Sequence, residues 1–231
     1  MKILMCAALA AATMAVQAQG LEEVVVTAER AQSYEGVPAV TVRKPADYLV
    51  QGIRLINDSR APDLRRTEII GTIDGLLKRA ADLRNVALSY GEGFLTPIEL
   101  SSDALQIIED QKRSDTSVVD IYVKVTLTEK DDTKKRNADL RAFIKQAKLV
   151  GRTEIEPRGD VGLSIVNPEK YRPELLAKIA EDNLKLSQAM GKQCTVRVGG
   201  LEKRIEWQRT GVAELTLYIP YRVDIEKCSG P

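Results

Sequence analysis

Histidine is absent from all 231 residues. Without imidazole the chain cannot build a Ser-His-Asp or Cys-His catalytic machine, nor a zinc site resting on histidine. An excess of one charge is missing too: Lys+Arg is 34 and Asp+Glu is 33, a net charge of +1. That balance argues against sequence-independent nucleic-acid binding, which needs surplus Lys and Arg to release counterions. Long apolar runs are also lacking. The longest, Ile3 to Val16, covers about 14 residues, short of the ~20 that span a bilayer. Cysteine is limited to Cys6, Cys194 and Cys228.

That one apolar run has the layout of a cleaved signal. Met1-Lys2 gives a short positive start, an Ala-rich stretch follows, and Val16-Gln17-Ala18 offers small or tolerable residues before the cut. Residues 1–18 are therefore expected to be removed after Ala18, with no integral membrane segment remaining. Cleavage takes Lys2 and Cys6 with it, leaving 33 basic and 33 acidic residues and a pair of cysteines. In an oxidising compartment an even pair points to one disulfide.

Residues 19–45 read as a short apolar segment and a flexible linker, carrying Gly36, Pro38 and Pro45. The folded domain is expected over 46–231. Asp47 to Asn57 reads as a strand, and Asn57-Asp58-Ser59 is turn chemistry. Pro62 suits a first helical turn, followed by Ile69, Ile70, Ile73, Leu76, Leu77 and Ala80 on one face. Val86 to Tyr90 reads as a strand, and Phe94 to Asp115 as a loop with a strand-like Leu105 to Ile108.

Val119, Ile121, Val123, Val125 and Leu127 alternate with polar or amphipathic residues, the clearest half-buried strand in the chain. A helix starts at Asp131-Asp132-Thr133, with Leu140, Phe143, Ile144 and Ala147 sharing a face. Val161, Leu163 and Ile165 alternate again, and Asn167-Pro168 stops them. Pro173 opens a helix that ends at Gly191.

A long β-hairpin closes the chain, with its turn near Arg209-Thr210-Gly211 and a parity switch at Gly199-Gly200 that a β-bulge would produce. Cys194 and Cys228 each lie 17 residues from Gly211. Folding about that glycine sets them opposite or adjacent, within bridging reach. The expected class is α+β: two βαβ-like halves with a C-terminal helix and long hairpin.

Residues 46–226 resemble the SIMPL-domain family of bacterial envelope proteins. The resemblance rests on the strand Val119 to Leu127, the helix through Phe143 and Ile144, and the strand Val161 to Ile165. It continues through the helix Glu174 to Met190 and the hairpin strand Leu215 to Ile225. It implies a periplasmic protein of a family in which some members serve oxidative-stress defence or form large ring-like oligomers. The middle segment Phe94 to Asp115 departs from the family pattern, which makes the chain a divergent relative.

Leu21, Glu22, Glu23, Val24, Val25, Val26, Thr27 and Ala28 look like the TonB box of TonB-dependent outer-membrane receptors, an extended segment that adds a strand to the TonB sheet. A receptor's plug and barrel have no room in 231 residues. The segment is either a TonB-binding tail or an edge strand of its own domain.

Other motifs carry less. Arg158-Gly159-Asp160 reads as a turn before a strand. Gly91-Glu92-Gly93 lacks the third glycine of a dinucleotide loop. Lys134-Lys135-Arg136 is balanced by Asp131, Asp132 and Asp139. Nothing nominates a catalytic residue, cofactor or metal. The expectation is a non-enzymatic periplasmic scaffold or interaction protein, assembling as a homo-oligomer and binding other envelope proteins. The alternative is a TonB-coupled accessory protein engaging TonB through residues 21–28.

Overall fold

The computed structural model describes residues 23–26, 37–92, 94–99, 105–190 and 194–226. The chain is an α+β protein. Its elements run β1 (Glu23–Val26), β2 (Val42–Pro45), β3 (Tyr48–Asn57), α1 (Pro62–Leu83), β4 (Val86–Tyr90), β5 (Thr96–Pro97), β6 (Ile108–Glu109) and β7 (Ser117–Thr126). They continue with α2 (Thr133–Lys145), β8 (Thr153–Val166), a 3-10 turn (Pro168–Tyr171), α3 (Arg172–Met190), β9 (Thr195–Gly199), β10 (Glu206–Arg209), β11 (Glu214–Tyr218) and β12 (Arg222–Glu226).

The main sheet has the order β1-β8-β3-β7-β4-β5, with β6 added to β7. Strands β3 and β4 are both antiparallel to β7, so they run parallel to each other with β7 between them. Likewise β7 and β8 flank β3. The units β3-α1-β4 and β7-α2-β8 are therefore two interlocked split βαβ motifs, the ferredoxin-like arrangement. These are the two βαβ-like halves expected from the sequence. An isolated bridge, Val24 to Phe94, joins β1 back to the segment before β5, so the sheet curls until its two ends meet.

Alternation decides the faces. Leu49, Ile53 and Leu55 of β3 sit directly opposite Val125, Ile121 and Val119 of β7, all buried. They form one core with Ile69, Ile73, Leu76 and Ala80 of α1 and with Leu140 and Phe143 of α2. Helix α1 has Pro62 in its first turn and ends at Arg84 in the left-handed region, φ 55°. Helix α2 starts where the Asp132 carboxylate accepts from the Lys134 backbone N–H. The basic run 134–136 is its first turn, and Arg136 pairs with Asp131 at 2.7 Å.

The loop after α2 is tied to α1 through one carboxylate. Glu68 accepts from Asn57 Nδ2 at 2.7 Å, Ser59 Oγ at 2.7 Å and the Arg152 backbone N–H at 3.0 Å. Gly151 sits beside it at φ +57°, and a Cβ there would fall 2.0 Å from the Glu68 carboxyl carbon. Glycine is needed both for the backbone angle and for the space.

The expected terminal hairpin is present as two separate pairings. Strands β10 and β11 form a hairpin that continues onto β2. Strands β9 and β12 form a second ribbon. Gly200–Ile205 lies between the two pairings on one side, and only Ile219–Tyr221 on the other. The register offset is thus larger than a one-residue bulge. Arg172 holds the longer segment through the carbonyls of Leu201 and Lys203, and Glu169 accepts from the Ile205 N–H. Residues 42–45, assigned to the linker by sequence, are strand β2.

Strand β8 is also longer than the Val161–Ile165 alternation suggested. Arg158-Gly159-Asp160 is not a turn before it but a bulge within it, where the register to β3 shifts between Val50 and Gly52. The Gln51 side chain fills this irregularity, its Nε2 lying 3.0 Å from Arg158 O and 3.1 Å from Gly159 O.

Candidate functional site

The face of the sheet away from the helices carries the even-numbered residues of β3 and β7. Here Val50 faces Lys124, Gly52 faces Tyr122 and Arg54 faces Asp120. The β8 bulge rises along one side, and Tyr90 to Glu92 with Leu105 to Ile108 along the other. Together they enclose a cleft of about 890 Å³. Gly52 keeps its floor open: a Cβ there would meet Arg158 O at 3.2 Å and the Tyr122 ring at 3.5 Å.

Glu92, Asp120, Glu156 and Asp160 line the cleft with Arg158, and Asp120 is paired with Arg54. Arg54 donates to both Asp120 oxygens, at 2.8 and 2.5 Å. This fork-to-fork geometry holds Asp120 below the usual carboxylate range and raises Arg54. Burial pushes the Tyr122 phenol up, and the charge on Asp120 adds to it. The result is an apolar floor at Val50 and Val118, a tyrosine ring, one fixed ion pair and a rim in which carboxylates outnumber cations.

At one end of the same face, strand β1 closes the curl. Glu23 and Lys124 are only 5% and 4% exposed, and their side chains form an ion pair. The second Glu23 oxygen accepts from Ser164 Oγ at 2.7 Å. Lys124 also lies over the Tyr48 ring, 4.6 Å from its centroid. Burial raises the Tyr48 phenol, with the Glu23 charge next in weight. The Glu23 carbonyl accepts from the Leu95 N–H at 2.8 Å, and Val24 is buried in the core.

Of the eight residues resembling a TonB box, Glu23, Val24, Val25 and Val26 pair with Val166, Ile165, Ser164 and Leu163 of β8. Their backbone lies between β8 and the Phe94–Leu95 segment. Strand addition to another sheet would compete for the same hydrogen-bonding groups. Leu21, Glu22, Thr27 and Ala28 lie outside the described residues.

Cys194 is disulfide-bonded. Cys228 lies outside the described residues. Thr195, next to Cys194, pairs with Glu226, two residues before Cys228.

Sequence reasoning missed Lys124 and the cleft. Lys124 stands in an alternating strand where even positions read as solvent-facing, and a curled sheet turns that face inward. The only available signal was the tyrosines Tyr48, Tyr90 and Tyr122, too evenly spread to mark a site. Among the described residues no group of three or more His, Cys, Asp or Glu is placed to hold a metal ion. Comparison of the chain with known protein families, with curated proteins and with solved structures finds no match to any of them.

Proposed function

We propose that this chain is a non-enzymatic interaction protein of the bacterial cell envelope, a SIMPL-like scaffold exported to the periplasm. The cleft on the inner face of the sheet carries the reading. Its floor comes from the paired strands β3 and β7, so its shape there is set before a partner arrives, and preorganised surfaces bind at lower entropic cost. Its apolar floor, tyrosine ring and acidic rim suit contact with an extended protein segment that carries apolar and basic side chains. Arg54 and Asp120 are held by each other, an arrangement that orients a partner rather than abstracting a proton. The signal-like residues 1–18 and the disulfide-bonded Cys194 both fit an oxidising compartment outside the cytoplasm.

The test places a photo-activatable side chain at Tyr122, in the cleft, and in a second strain at Lys135, on the first turn of α2. Irradiation of living cells is expected to give a discrete adduct with an envelope protein from position 122 only. The same cells should yield the mature chain beginning at Gln19 in the periplasmic fraction. Equal adducts from both positions, none from 122, or an unprocessed cytoplasmic chain would overturn the reading.

A further inference from the structure

The ribbon formed by β9 and β12 differs from the rest of the fold. All five residues of β12 are exposed, including Val223 at 36% and Ile225 at 44%. Helix α3 packs on β9, and along β9 both Val196 and Val198 are half-buried. Among the described residues, no strand pairs with the outer edge of β12. A bare two-stranded ribbon is marginal in water, and a free edge with apolar side chains is a template for another strand.

The sequence of that edge is complementary to itself. Along β12, Arg222, Asp224 and Glu226 lie on one face and Val223 and Ile225 on the other, while Tyr221 precedes the strand and packs against the core. Two antiparallel copies related by a two-fold axis, with their apolar faces kept on the same side, must centre on one residue. Centring on Arg222 or on Asp224 sets a like charge against itself. Centring on Ile225 sets Asp224 against Glu226 of the second copy. Centring on Val223 sets Arg222 against Asp224 of the second copy, twice, and Val223 against itself, with Ile225 at the end of the shared ladder. This register makes no like-charge pair. Pro220, which has no N–H to donate, then bounds the ladder.

We propose that a second copy of this chain docks along β12, in antiparallel register centred on Val223, to make a continuous four-stranded sheet from two β9–β12 ribbons. This inference rests on the reading of the chain as an interaction protein and names one of its partners. The contact Arg222 makes within its own strand, 3.2 Å from Asp224, leaves both side chains more than half exposed and able to turn across the edge.

Sedimentation of the full mature chain tests it with two charge reversals, Arg222→Asp and Asp224→Arg. Each alone places like charges opposite one another at two positions, and each is expected to weaken self-association by about tenfold or more. Mixed together, one copy presents two acidic residues and the other two basic ones, so the mixture is expected to associate as a one-to-one dimer. Melting curves of each variant alone check that it is folded. Self-association of the single variants equal to that of the parent, or a mixture that stays monomeric, would overturn the β12 interface. A parent chain that is monomeric throughout would do the same. In each case the cleft cross-link still decides the broader reading, since it reports on the opposite kind of surface.

Discussion

At the scale of single residues, the fold depends on a few carboxylates with several donors each. Glu68 shows the logic. The Arg152 backbone N–H is the main cause, with Asn57 and Ser59 next, and together they favour the charged form and lower the Glu68 pKa below its ordinary 4.5. A carboxyl whose folded pKa is depressed contributes stability in full above its ordinary value and loses it as the pH falls through the folded value. Glu68→Gln should therefore be less stable than the parent at neutral pH. The gap should close as the pH drops below the ordinary glutamate range, which urea melts at stepped pH would register. A gap independent of pH would mean that the shape of the side chain, and not its charge, ties the loop to α1. None of this was visible from sequence. Glu68 is one of 33 acidic residues, and its donors come from residues 57, 59 and 152, which no spacing rule connects.

Single elements differ in how openly the sequence declares them. Strand β7 is paired on both sides with one face in the core, so its alternation is clean. The first half of β8 pairs with β3 only, because β1 reaches no further than Leu163. Its free edge accepts Pro157 and exposed charges, and these hide a strand from a periodicity argument. Strand β1 is the reverse case. Glu23-Val24-Val25-Val26 was recognisably extended, but whether it belonged to the domain was undecided, since Lys124 and Ser164 lie more than 100 residues away. The ion pair they build gives this element its prediction. Removing one member strands the other charge in the interior. Lys124→Met or Glu23→Gln alone should cost about 3–5 kcal/mol. The double replacement Glu23→Gln with Lys124→Met should cost much less than the two added, and chemical denaturation measures the difference. Additive losses would mean the pair is decoration on a strand held by its backbone alone.

At the scale of the whole molecule, two regions are held by different means. The body from β1 to β8 has the double split βαβ core with two helices on one face. The terminal ribbon has little buried surface and is held beside Arg172, α3 and the disulfide at Cys194. Reduction should accordingly act on the ribbon first. If Cys194 is bridged to Cys228, as the pairing of Thr195 with Glu226 suggests, reduction removes roughly 3–4 kcal/mol of chain-entropy stabilisation. Peptide mapping without reductant should recover the joined 194 and 228 peptides. Hydrogen exchange in reductant should rise in 195–199 and 222–226 before it rises in β3 or β7. Uniform acceleration would show instead that ribbon and body unfold as one unit. The architecture at this scale was legible because helical and strand periods alternate in the βαβ order. The division of the terminal hairpin was not, because it depends on Arg172 and Glu169 gripping a loop some 30 residues downstream.

The closure of the sheet also sets an order in time. Strand β1 precedes every other strand of the main sheet, yet the Ser164 that Glu23 binds is 141 positions later. Contacts of such long range are slow to form because the intervening loop must be closed first. Through that interval three consecutive valines stand on an unpaired strand, with Glu22 and Glu23 before them and Glu29 and Arg30 after Thr27-Ala28 as the charges to discourage other chains. The segment that seals the sheet is thus made long before the strand it pairs with and is among the last to find its place. It is also the part whose concentration-dependent misassembly should limit the yield of refolding.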